Sequence, residues 1–154
     1  MKIKTHPVVS GQIFLADVSP EFAKTELEQN PEVATRPELR AWVKVRQATT
    51  ADNRARAELY RERERRWNGN VDGTVTSVSM VYRDNPFVRQ MKEVEMTLAE
   101  VGNMEDEDDK PLIDLPIKRA EDFEKRWLSL DAMVTNAIHS AVLTVNLDWL
   151  RSGE

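Results

Sequence analysis

Two histidines, His6 and His139, and a run of carboxylates from Glu105 through Asp109 are the residues whose chemistry reaches beyond packing. A histidine works as a general acid or base when a carboxylate or nucleophile stands within hydrogen-bond reach. Neither histidine has such a partner at helical or strand spacing, so His139 reads as a boundary residue beside the apolar stripe of the last long helix, and His6 as part of the N-terminal arm. The acidic run invites a calcium reading, which the EF-hand pattern rejects. Its sixth loop place calls for Gly and holds Lys110, and its twelfth calls for Glu and holds Pro116. Carboxylates cannot pack together while charged, so the run reads as a solvated connector. The absence of Cys removes disulfides, thiolate metal sites and a thiol nucleophile, and the phosphate-loop, dinucleotide, nucleophile-elbow and zinc-protease patterns do not occur. No catalytic residue, cofactor or metal site is assigned, and the expectation is a protein that is not an enzyme.

Arg54, Arg56, Arg61, Arg63, Arg65 and Arg66 form the other chemistry-bearing series, diluted by Glu58, Glu62 and Glu64. One reading is a contact to RNA or DNA, made by the helix from Asp52 to Trp67 in a nucleic-acid-binding regulator. The other is a solvated helix face with intrahelical ion pairs, each worth about 0.2–0.5 kcal/mol. The chain carries 22 Lys and Arg against 27 Asp and Glu, a net charge of −5. That balance favours the second reading, because phosphate binding rests on a positive field.

The elements that must position these residues follow from periodicity. A length of 154 residues suits one domain, and 40% hydrophobic residues suffice for a core beneath a surface supplied by 32% charged ones. Residues 1–47 read as β-rich. Val8 to Val18, broken at Ser10-Gly11, suggests two short strands around a turn, and Ala41, Val43 and Val45 alternate with Trp42, Lys44 and Arg46 as in a half-buried strand. Between them, Ser19-Pro20 has the form of a cap and first turn for a short helix carrying Phe22, Ala23 and Leu27. Thr49 and Asp52 form a capping box that opens a helix over 49–67, closed by Asn68-Gly69-Asn70. Val71 to Tyr82 fits a strand or an irregular linker equally. Asn85-Pro86 opens a helix over 86–101 with Phe87, Met91, Val94, Leu98 and Val101 on one stripe. Helices over 117–128, with Ala120, Phe123 and Trp127 on one face, and over 130–147, capped by Asp131 or Ser129, complete the chain. The expected fold is α+β: a single, mainly helical domain with a small N-terminal antiparallel β-sheet. Met1 to Pro7 lacks the apolar core of a signal peptide, and no stretch approaches the roughly 18 apolar residues of a membrane span, so a soluble cytoplasmic protein is expected.

Three stretches carry a resemblance. Val43 to Asp52 has the form V-R-x-A-T-x-x-D, a strand running into a capped helix, followed by Arg56-Ala57-Glu58-Leu59. Glu105 to Ile113 is an acidic turn followed by Lys-Pro-Leu, and Phe123 to Trp149 contains F-x-x-x-W-x-x-L and ends in Val145-Asn146-Leu147-Asp148-Trp149, similar to a V-x-x-N-x-x-W ending. Together they resemble the tail assembly chaperones of long-tailed bacteriophages and prophages, over about residues 40–150. The resemblance implies a small protein of the host bacterial cytoplasm. It would coat the tape measure protein, keep it soluble and help recruit tail tube subunits, without membrane or nucleic acid and with self-association left open. It also implies a longer, frameshifted form in many members. The first 35 residues match nothing in that pattern, and Asp109 stands where the acidic turn usually has Gly. A structural virion component, such as a head-to-tail connector or tail terminator subunit, is the alternative of a different class. Expected contact residues are Trp42, Tyr60, Trp67, Arg56, Arg63, Phe87 and Met91, with the stripes at 87–101 and 130–145 offering grooves to a partner helix.

Overall fold

The computed structural model describes residues 1–3, 5–61, 64–71, 74–81 and 85–151, with the backbone alone at 60–61, 64–71, 74–81 and 151. The architecture is α+β: helices packed on a small three-stranded antiparallel sheet, with a separate two-stranded pairing. In chain order the elements begin with β1 (Ile13–Phe14), α1 (Leu15–Val18), α2 (Pro20–Gln29), β2 (Trp42–Val45) and α3 (Thr50–Arg61). Strands β3 (Glu64–Val71) and β4 (Thr74–Val81) come next, then α4 (Pro86–Thr97), β5 (Leu98–Gly102), α5 (Ala120–Ser129), α6 (Ala132–Val145) and α7 (Leu147–Arg151).

Helix starts follow the local caps. The Phe22 amide donates to Ser19 Oγ at 3.2 Å with Pro20 in the first turn, the amides of Phe87 and Val88 donate to Asn85 Oδ1, and Met133 N donates to Asp131 Oδ1 at 2.8 Å. Helix ends depart from periodicity. The helix expected over 49–67 stops at Arg61, and 64–71 instead pairs residue by residue with 74–81, from Glu64↔Val81 to Val71↔Thr74. The Asn and Gly residues at 68–70 are poor helix formers, and a ladder to Thr- and Val-rich 74–81 satisfies the same backbone groups. The helix expected over 86–101 likewise ends at Thr97, because 98–102 forms the third strand of the sheet. Near the N-terminus the two expected strands reduce to a single bridge from Val9 to Arg46 and to β1, and 15–18 turns helical.

The sheet order is β1-β2-β5, with Val43 opposite Ile13 on one side and Val101 on the other. Val43 and Val45 point inward and are fully buried, while Trp42, Lys44 and Arg46 line the opposite face, as the alternation predicts. α6 lies across the inner side and packs on α1, α2, α4 and β2. Its Ala137, Ile138, Ala141 and Val142 are all fully buried with Leu15 and Val94. Phe123 and Trp127 of α5 stack at 5.8 Å and close the core from the side of α4. Leu27, expected on the buried face of α2, is exposed, and that helix holds the sheet instead through Glu26, whose carboxylate accepts the Ala41 amide at 2.7 Å. Among the described residues no helix is long and apolar enough to cross a membrane.

Candidate functional site

The corner between β2 and α3 carries the first of the resembling motifs, and each polar residue in it has a structural task. Arg46 Nη1 donates to Asp52 Oδ2 at 2.6 Å, and Nη2 donates to the Met96 carbonyl. The capping box forms as its spacing predicts: Asp52 N donates to Thr49 Oγ1 at 3.2 Å, and Thr49 N to Asp52 Oδ2 at 2.8 Å. Partial burial pushes the Asp52 pKa up, but hydrogen bonds from Arg46 and Thr49 outweigh it and hold the carboxyl below its ordinary value.

The last motif docks onto this corner from almost a hundred residues away. Asn146, at the end of α6, accepts the Ala48 amide at 2.8 Å and donates to the Arg46 carbonyl at 3.3 Å. Trp149, one turn on, donates its indole N–H to Asn53 Oδ1 at 2.8 Å, and its carbonyl accepts Arg56 Nη2 at 3.2 Å. The Arg56 guanidinium also lies 5.3 Å from the Trp149 ring centre.

Arg56 leads into a buried charge cluster. Its Nε donates to Glu93 Oε1 at 2.8 Å, and the other carboxylate oxygen sits 2.6 Å from His139 Nε2. Arg89 approaches Oε1 at 3.9 Å from the preceding turn of α4. Glu93 is 1% exposed and Arg56 7%. Burial pushes the Glu93 pKa up, and the hydrogen bonds and charges of His139 and Arg56 together outweigh it, so the carboxyl stays below its ordinary range. Residues of α3, α4 and α6 thus meet on one carboxylate, and among the described residues no buried side-chain nitrogen or oxygen lacks a partner. The cluster is arranged to hold three helices in register.

The expected contact residues divide. Arg56 and Met91 are buried and belong to the interior, which corrects their assignment to the surface. Arg56 turns inward because Glu93 and the Trp149 carbonyl satisfy it there. Met91 lies on the core side of the α4 stripe with Val94 and Leu98. Trp42 is half-buried and covers Gly102, its cross-strand neighbour. A Cβ at that glycine would lie 2.1 Å from the indole, so the ring fills the space that the missing side chain leaves. Phe87 is 75% exposed and Val88 beside it is exposed as well. Arg63 and the side chains of Tyr60 and Trp67 lie outside the described residues. The middle of the α6 stripe, Ala137, Ile138, Ala141 and Val142, is consumed by the core, while Leu130, Met133, Val134 and Val145 are partly buried; in the first turn of α4, Phe87 and Val88 are exposed.

Residues that sequence reasoning missed are Glu93 and, as its partner, His139. Glu93 stands between Met91 and Val94, close to the apolar stripe, and that placement is the signal that could have marked it as a buried carboxylate in need of cations. A second missed feature is a cleft of about 450 Å³ between 110–118 and the start of α5, floored by Ile113, Leu115, Ile117 and Phe123. Compared with known proteins, the chain matches no family model, no curated protein and no solved structure.

Proposed function

We propose that this protein is a phage tail assembly chaperone that holds helical segments of the tape measure protein in the host cytoplasm, assists recruitment of tail tube subunits, and catalyses no reaction. The observation that carries the reading is the interlock between the resembling stretches. The N-x-x-W ending, through Asn146 and Trp149, is bound to the V-R-x-A-T-x-x-D corner, through Ala48, Arg46 and Asn53. Motifs that read as unrelated along the chain therefore behave as one structural signature, as expected of residues that define a family's fold.

The contact face in this reading is the N-terminal turn of α4. Phe87 and Val88 are apolar and open to solvent at the end of a stripe that otherwise faces the core, the arrangement that an apolar helix stripe on a partner can extend. Because Phe87 is exposed, Phe87→Asp should leave the fold within about 0.5 kcal/mol of the parent, measured by chemical denaturation. Co-expression with a helical fragment of a phage tape measure protein is the test. The expected result is a soluble fragment that co-elutes with several copies of the chain on size exclusion, and that returns to the pellet with Phe87→Asp. A fragment that stays insoluble while the chain elutes alone as a closed ring would overturn the reading in favour of a virion component.

A further inference from the structure

Strands β3 and β4 form a sheet of two, and among the described elements each packs extensively only on the other. A two-stranded ribbon is marginal in water; a third strand or a packed face is what holds one. Each of the two strands has one ladder partner among the described residues, so each offers an open edge of backbone amides and carbonyls. The two edges are unlike in sequence. β3 opens with Glu64, Arg65 and Arg66 and continues through Asn68, Gly69 and Asn70, the charges and weak strand formers that blunt an edge. β4, Thr74–Val81, consists only of Thr, Val, Ser and Met, with no charge, Pro or Gly. That is the composition of a segment that pairs readily, and left open it would template aggregation.

We infer that β4 pairs with β4 of a second copy of this chain, antiparallel about a twofold axis at Ser77 or Val78, so that two hairpins join into a four-stranded sheet of order β3-β4-β4-β3. The edge is complementary to itself. Antiparallel pairing sets each residue of 74–81 opposite another of the same uncharged set, so no register brings like charges together. The pairing also closes. Both outer strands of the joined sheet are β3, whose charged start resists a further strand, and assembly stops at two copies. An extended segment of another protein could add to the same edge by its backbone alone, but β4 carries no charge that would select one, whereas a second copy always brings a strand of equal length and character. The inference does not rest on the tape measure reading, and its test uses this chain alone.

Sedimentation velocity of the full chain, from about 1 to 100 µM, should show a monomer passing into a dimer and no larger species. Thr76→Lys with Val78→Lys charges the β4 edge and should raise the dimer dissociation constant about tenfold or more. Asn68→Lys with Asn70→Lys makes the same change of net charge on the outer strand and should leave it within about twofold of the parent. The chain has no Cys, so single cysteines report the pairing without reliance on those variants. Cross-strand partners at the twofold lie about 4.5–5.5 Å apart, within disulfide reach. Mild oxidation should therefore lock a covalent dimer through Ser77→Cys or Val78→Cys, and not through Asn68→Cys of β3. A chain that stays monomeric throughout would overturn the inference and leave the edge to a strand of another protein. Growth beyond two copies, equal response to the two lysine pairs, or cross-linking through Asn68→Cys alone would overturn it as well.

Discussion

Glu93 and Asp106 are both carboxylates with several donors and a pKa held below the ordinary range, yet they do opposite kinds of work. Glu93 is taken out of water, and its partners come from different helices: Arg56 of α3 and His139 of α6. Asp106 lies in the surface turn after β5. It accepts the backbone amides of Asp108 at 2.9 Å and Lys110 at 3.0 Å before Arg126 reaches it from α5. The Lys110 amide is the leading cause that lowers the Asp106 pKa, whereas at Glu93 burial opposes ionisation and side-chain partners must overcome it. A carboxylate served by nearby amides shapes a loop; one bound by side chains of two other helices ties helices together.

The largest break in that comparison comes from Glu93→Ala, which leaves Arg56 buried without its counter-charge. Loss of about 3–5 kcal/mol is expected in urea denaturation, close to complete unfolding for a domain of ordinary stability. Asn146→Ala comes next. It strands the Ala48 amide, and about 1–3 kcal/mol should be lost with the strand-to-helix corner fraying first in hydrogen exchange. Asp106→Asn should be the mildest, because Asn retains an oxygen for the two amides and gives up only the charge toward Arg126; its thermal midpoint is expected among those of ordinary surface substitutions.

Acid sharpens the contrast. Both carboxyls have folded pKa values below their unfolded ones, so each stabilises the fold above the ordinary carboxylate value of about 4.3 or less and loses that contribution as pH falls through the lowered folded value. Glu93→Gln should therefore flatten the fall in stability between neutral pH and about pH 3 more than Asp106→Asn does, read from denaturation midpoints along a pH series.

Sequence reasoning succeeded where the deciding hydrogen bond is short in sequence. The Thr49–Asp52 box, the Ser19 and Asn85 caps with their following prolines, and Asp131 at the start of α6 each bind within three residues of themselves, so spacing alone carries the information. Asp109 has a φ of 58°, in the region that favours glycine, which spacing did not foretell. Periodicity failed where a ladder competed with a helix. Leu98 and Val101 extend the α4 stripe, but they pair with Val45 and Val43 more than fifty residues earlier. The α6 stripe was visible as apolar, but the burial of its middle was not, since its cover is assembled from α1, α2, α4 and β2.

Composition and local spacing determined the fold class, the starts of α2, α3, α4 and α6, the inward face of β2 and the acidic turn, because each depends on groups a few residues apart or on the sum of the chain's surfaces, whereas α5 starts at Ala120 rather than at 117 and has no side-chain cap. Only the tertiary structure decided that Arg56 faces Glu93 rather than solvent, that His139 meets a carboxylate 46 positions away, and that Phe87 is the open end of a covered stripe. The physical reason is common to all three: the energy of a charge or an apolar surface is set by what lies beside it once water is excluded, and those neighbours are chosen by packing between elements rather than by sequence distance.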